Sequence, residues 1–320
     1  MRLHIAWLVL GCGIWSAGEA FAQGYPAKPV RLVVPYPAGG VNDIIARVLA
    51  QKLGEGLGQQ FFIDNRPGAG GNLGTDHVAK STPDGYTLLS GGVGSLTMNP
   101  GLGKVPYDTS RDFAPVALIA NAPNVLTVHP SLPVRSTSEF IALAKMRPAQ
   151  IHYGSGGVGS TPHLSGALFA VMAGVDLVHV AYKGGAQAMT DLMGGHTQMS
   201  FAGIPPALPH VRSGKLRALG VSSAQRSAQL PDVPPIGDAV AGYDVNPWFG
   251  ILAPKGVTEE IIVRLSAEIA RALRAADLRE RLLAQGCEPY AGSPEDFAQT
   301  IRVDLARWGK LIADARIRAD

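Results

Sequence analysis

The chain is nearly free of cysteine. Cys12 and Cys287 are the only two in 320 residues, which excludes a disulfide-stapled scaffold. Charge is sparse as well, with 17% Asp, Glu, Lys and Arg and a net charge of +3. There is no block of Lys or Arg and no zinc-finger spacing, so nucleic acid is not an expected partner. No segment reaches 18 consecutive apolar residues, the length that points to a membrane-crossing helix. HExxH, GxSxG and GxxxxGK[ST] are all missing. His77, His129, His152, His163, His179, His196 and His210 are scattered without ligand spacing. No metal, no cofactor and no catalytic residue are expected.

What is abundant is glycine, proline and apolar side chain: 39 Gly, 24 Pro and 46% hydrophobic residues. A sizeable core and many shaped loops follow. The N-terminus reads as an export signal. Arg2 carries the positive charge, Ile5–Ile14 is short and apolar, and Ala20-Phe21-Ala22 fits a small-x-small cleavage site. Cleavage after Ala22 and a periplasmic location are expected. A membrane anchor is the alternative, but the stretch is too short to span about 30 Å. Lipid attachment at Cys12, after Val9-Leu10-Gly11, is a second alternative. Loss of Cys12 would leave Cys287 alone. It follows RLLAQG at a helix exit with no basic partner, so a buried, inert thiol is expected.

One device recurs along the chain. A short apolar run empties into a glycine-rich loop, and a helical pattern follows. It occurs at Arg31–Leu49, Gln59–Gly74 and Ile151–Phe169. Such a junction presents backbone N–H groups and the positive end of a helix at the carboxyl end of a strand, a setting for a small anion. The alternation of strand and helix predicts an α/β protein with mainly parallel sheets. The expected division is a signal over residues 1–22, a first lobe over 23–121, a second lobe over 122–230, and a return to the first lobe over 231–320. Two crossings would then form a hinge. In the return segment, Ile261, Leu265, Ile269 and Leu273 share a helix face, and Thr258 is a candidate cap. Ser293-Pro294-Glu295-Asp296 opens a last helix whose apolar stripe includes Trp308.

The candidate ligand site is built from these loops. The first offers Tyr36, Ala38, Gly39, Gly40, Asn42 and Asp43. Asp43 has two available roles: holding its own loop, or accepting from a ligand donor. The second offers Ala69, Gly70 and Gly71, with Arg66 either as a countercharge or as a brace on Asp64 or Asp43. The third strand exit offers Ser90, Gly91 and Ser95. From the second lobe come Ser155, Gly156, Ser160, Thr161 and His163, then Lys183 and Gly184, then Ala202. His163, in a first helical turn, is expected to be neutral, either donating to the ligand or tying loop to loop. Trp248 and Phe249 would wall the cleft or pack the lobe junction. Gly154–Gly159 also spells GxGxxG, which raises dinucleotide binding. The acid that should close the next strand is missing, since Asp176 precedes that strand.

These motifs resemble a known family. YPAKPVRLVVPYPAGGVNDIIAR, IDNRPGAGGNLGTDHVAKSTPDGYTLL, VPYDTSRDFAPVALI, IHYGSGGVGSTPHLSGALF, HVAYKGGAQAMTDLMGGHTQMSF, WFGILAPKG and GCEPYAGSPEDF together are similar to the extracytoplasmic receptors of tripartite tricarboxylate transporters, the Bug or TctC-like proteins. The resemblance implies a two-lobed, Venus-flytrap periplasmic binding protein. It would be a monomer that captures a small organic acid, with bridging waters, and delivers it to a membrane permease. Ala38 stands where the family often has a second proline, and Asn42 where it often has Thr. A secreted hydrolase or transferase using a loop serine is the alternative, as is a sensing subunit of the same fold.

Overall fold

A computed structural model describes residues 24–317. The expected signal peptide lies outside the described residues. The chain begins with β1 (Val30–Val34), α1 (Val41–Leu57), β2 (Phe61–Asn65), α2 (Asn72–Ala79), β3 (Thr87–Gly92), α3 (Asn99–Leu102) and β4 (Phe113–Asn121). It continues with β5 (Asn124–Val128), α4 (Thr137–Met146), β6 (His152–Ser155), α5 (Thr161–Ala173), β7 (Val178–Ala181), α6 (Gly185–Met193), β8 (Met199–Gly203), α7 (Ile204–Arg212) and β9 (Arg217–Val221). It ends with β10 (Trp248–Pro254), α8 (Glu259–Arg274), α9 (Ala276–Ala284), β11 (Glu288–Gly292) and α10 (Pro294–Asp314).

Two sheets result. One has the order β11-β4-β10-β3-β1-β2, the other β7-β6-β8-β5-β9. The expectation of mainly parallel sheets is wrong. The pairs β11–β4, β4–β10, β10–β3, β8–β5 and β5–β9 are antiparallel. Only β1–β2, β1–β3, β6–β7 and β6–β8 are parallel. The physical reason is that a buried apolar run looks the same in either direction. Direction is set by the connection, and β10 enters the first sheet from the far side of the second.

The first sheet is covered on both faces. Val30, Leu32 and Val34 of β1 pack with Ile45 and Leu49 of α1 and with Leu265, Ile269 and Leu273 of α8. Val33, one residue out of phase, joins Phe297, Ile301 and Trp308 of α10 on the opposite face. Trp308 is therefore core. Thr258 occupies the N-cap position of α8 without a side-chain cap bond, while Ser293 and Asp296 form a complete capping box on α10.

Two crossings join the sheets. Asn121–Asn124 leads out of β4, and Asp244–Trp248 leads back into β10. They run side by side, with Ala122 N–H donating to the Pro247 carbonyl at 2.8 Å. Helix α10 grips the return crossing. Trp248 Nε1–H donates to Asp304 Oδ2 at 2.6 Å, and Arg307 Nη2 donates to the Asp244 carbonyl at 2.7 Å. Trp248 also packs edge-on against Phe297, with ring centroids 5.3 Å apart.

Candidate functional site

A cavity of about 360 Å³ opens between the two sheets, a size suited to a small organic molecule. From the first sheet, the loop after β1 contributes Tyr36 to Asn42, and β10 contributes Phe249. From the second come the exits of β6 (Ser155, Gly156, Ser160, Thr161), β7 (Gly184, Gly185) and β8 (Ala202, Gly203). The crossings add Ala122, Asn124 and Pro247. Among the described residues, no Lys, Arg, Asp or Glu lines the cavity.

What it offers instead is helix ends. The first turns of α1, α5 and α6 all reach the wall, with Gly40, Ser160 and Gly184 at the three N-cap positions. First-turn N–H groups have no intrahelical acceptor, and the macrodipole adds partial positive charge there. Glycine at two of these caps lets a ligand approach the backbone. The remaining wall is largely apolar, from Val41, Met189, Met193, Phe201 and Phe249.

Tyr36, Ala38, Gly39, Gly40, Asn42, Ser155, Gly156, Ser160, Thr161, Gly184 and Ala202 all lie on the wall. The other expected residues lie behind or beside it. Asp43 is 2% exposed and braces its loop. Its Oδ2 accepts from Gly39 N–H and from Arg47 Nε, both at 2.9 Å, and its Oδ1 accepts from Asn65 Nδ2 at 2.9 Å. Burial works against its charge, but the bonds from Arg47, Gly39 and Asn65 outweigh it and hold the carboxyl below the usual range. Arg66 braces Asp64 at 2.8 Å.

Ala69–Gly71 form a single 3₁₀ turn that backs Tyr36. A Cβ on Gly71 would lie 2.9 Å from the Tyr36 ring, and one on Gly70 would lie 2.4 Å from the Val158 carbonyl across the cleft. Ser90 is locked to Asn42: its hydroxyl donates to Asn42 Oδ1 at 2.5 Å, and Asn42 Nδ2 donates back to its carbonyl at 2.7 Å. Gly91 packs among Leu89, Leu96 and Leu252, and Ser95 is buried under Tyr107. Lys183 is exposed and off the wall.

His163 ties loop to loop, its Nδ1 accepting from Gly159 N–H at 3.2 Å. Its ring stacks on His179 at 4.1 Å, and His179 Nε2 lies 2.6 Å from Ser155 Oγ. Burial first, then the neighbouring imidazole, lowers His163 to about 4, and burial lowers His179 to about 4. Ser155 and His179 resemble a nucleophile and base. Among the described residues, however, no carboxylate hydrogen-bonds His179, so the orienting acid of a triad is missing.

Sequence reasoning missed Asn124 and Ser200, Met189 and Met193 of α6, and Pro206 and His210 of α7. Nothing local marks the α6 pair as different from core. The α7 pair falls in IPPALPHVR, whose three prolines hide a helix. Phe249 walls the cavity, whereas Trp248 packs the junction.

Comparison with known proteins agrees with this geometry. Residues 45–317 match the model of the tripartite tricarboxylate transporter family receptor. The chain is 38% identical to the UPF0065 protein of the tcbD-tcbE intergenic region of Pseudomonas sp. strain P51, covering 100% of this chain and 96% of that one. It superposes on R. palustris Rpa4515 with adipate at a TM-score of 0.88 and 39% identity, covering 92% and 99% of the two chains. MatC of Rhodopseudomonas palustris with bound malate gives 0.85 and 32%, covering 90% and 100%. The chain thus belongs to the receptors of the tripartite tricarboxylate transporter family: it is a periplasmic, non-catalytic binding protein that presents a small organic carboxylate to a membrane permease.

Proposed function

We propose that the ligand is a dicarboxylate with an apolar spacer, held across the cavity by main-chain donors. The observation that carries this is the meeting of three helix N-termini on a wall to which, among the described residues, no Lys or Arg contributes. One carboxylate faces the turn from Ala38 to Asn42, the other the turns at Ser155–Thr161 and Gly184–Gly185. The methylenes lie against Val41, Met189 and Phe249. Ordered waters complete the shell, at small cost in affinity. The adipate and malate carried by the two similar structures support this class of ligand.

On this reading residues 1–22 are removed after Ala22, and the lobes close about the paired crossings at Asn121–Asn124 and Asp244–Trp248. Ligand binding favours the closed form because only that form brings both sets of donors to one molecule.

A thermal-shift screen on refolded protein tests the reading. Adipate, malate and other dicarboxylates are compared with adipamide, the neutral diamide. An acid at a hundred times its Kd is expected to add about 2.7 kcal/mol of stability, unchanged by incubation. Equal stabilisation by the neutral diamide would overturn the reading.

A further inference from the structure

Ser155 is the best-connected polar group on the cavity wall. Its oxygen accepts from Gly157 N–H at 3.2 Å and faces His179 Nε2 at 2.6 Å. The Gly157 carbonyl, also 3.2 Å away, is already taken twice by Ser160, through N–H at 3.1 Å and O–H at 2.6 Å. A carbonyl oxygen has two lone pairs, so it is saturated. The Ser155 proton therefore has two destinations: His179 Nε2 or the cavity.

His179 stands on β7 against two other rings, Tyr153 at 4.8 Å and His163 at 4.1 Å. His163 accepts at Nδ1, so it is neutral and carries its proton on Nε2. A second charge beside it in the same buried stack is disfavoured, which keeps His179 neutral too, with one N–H to assign. With that proton on Nδ1, Nε2 accepts, and the protein consumes the Ser155 hydroxyl proton. With it on Nε2, the imidazole donates to Ser155. Gly157 N–H then fills the other lone pair, and the hydroxyl is left as a donor aimed at the cavity. Only this second arrangement suits a carboxylate.

We infer that His179 is a positioning residue whose ring proton moves from Nδ1 to Nε2 when an anion enters, converting Ser155 into a donor-only contact. The exchange runs through solvent, one proton leaving Nδ1 as another is taken at Nε2, so no net charge is gained. The device selects ligand groups that accept at Ser155 and rejects those that must donate there. The inference rests on reading the cavity as a carboxylate site.

Nitrogen-15 NMR of the histidine rings, with adipate and malate as probes, tests it. In free protein the His179 shifts should report a proton on Nδ1. At saturation they should report it on Nε2, while His163 keeps its proton on Nε2 throughout. Affinity measurements add a second arm. His179→Phe keeps a stacked ring without nitrogen, so the Ser155 proton is left with the cavity alone: acid affinity should be kept or rise, while discrimination against adipamide should fall because the Ser155 oxygen is free to accept. Ser155→Ala removes the donor itself and should weaken the bound acid about tenfold, the worth of a charge-assisted hydrogen bond, and the double variant should match Ser155→Ala alone. An acid that binds without moving the His179 proton, or a loss in His179→Phe as large as that in Ser155→Ala, would overturn the inference and leave the cavity reading intact. Failure of every dicarboxylate to bind would remove the cavity reading and the inference together. If His179→Phe does not fold, the spectra of the unaltered protein decide.

Discussion

Asp43 shows how far a single residue can be read from sequence. Its position in a helix's first turn suggested either a loop brace or a ligand contact. The choice depended on Asn65, Arg47 and Gly39, which only the fold brings within 2.9 Å. Because its folded pKa is lowered, its contribution to stability is present above the ordinary carboxylate range and fades as pH falls through the folded value. Asp43→Asn should lose about 1–3 kcal/mol at neutral pH. Its stability should also fall less steeply than the parent's below about pH 4, as urea titrations at several pH values would show. Cys287 was legible outright. It is 0% exposed and burial pushes its thiol up to about 12. Thiol reagents at pH 8 should leave native protein unlabelled and label it fully in denaturant, a difference mass spectrometry reads directly.

Among the elements, period and turn chemistry located most helices and strands to within a few residues. The failures have physical causes. Strand β4 escaped notice because Pro115 interrupts its apolar run, yet β4 lies inside the sheet between β11 and β10. Helix α7 was hidden by its prolines and β11 by its exposed, polar register. Strand direction was legible only where a helix joins neighbouring strands, as in β1–β2 and β6–β7, and not for the five antiparallel pairs. The loop after β6 was legible, and it carries a test. Ser160 caps α5, accepting from His163 N–H at 3.4 Å, and the same hydroxyl donates to the Gly157 carbonyl at 2.6 Å. Ser160→Ala should cost about 1 kcal/mol of stability. It should also weaken ligand binding severalfold, because the loop presenting Ser155 and Gly156 loses its tie. Denaturant melts and a ligand titration on one preparation separate the two effects.

The whole molecule meets itself across the cleft through shape. Every salt bridge among the described residues lies within the part built on the first sheet, and none joins the two lobes. A Cβ on Gly203 would fall 2.2 Å from Val41 Cγ2, and one on Gly184 would fall 2.9 Å from Pro37 Cγ. Gly203 has φ −60, a backbone any residue adopts, so its missing side chain is a matter of space alone. Val41 is β-branched and cannot swing away freely. Gly203→Ala should therefore weaken ligand binding by about ten- to a hundredfold, the effect of 1–3 kcal/mol of overpacking where the two lobes meet. Val41→Ala in the same chain should restore affinity. Scattering from the liganded variant should show a wider molecule than the parent.

The antiparallel insertion of β10 between β3 and β4 has a consequence for biogenesis. A nascent or half-translocated chain that stops short of Trp248 holds two bare strand edges with nothing to fill the gap between them. The intervening five-stranded sheet, by contrast, has all its strands by Val221 and the residues that cover them, Ile236, Tyr243 and Val245, before the insertion begins at Trp248. Assembly from the inside out is the expected result, and pulsed hydrogen exchange during refolding should protect β5 to β9 before β1 to β3, whose sheet stays gapped until the tail arrives.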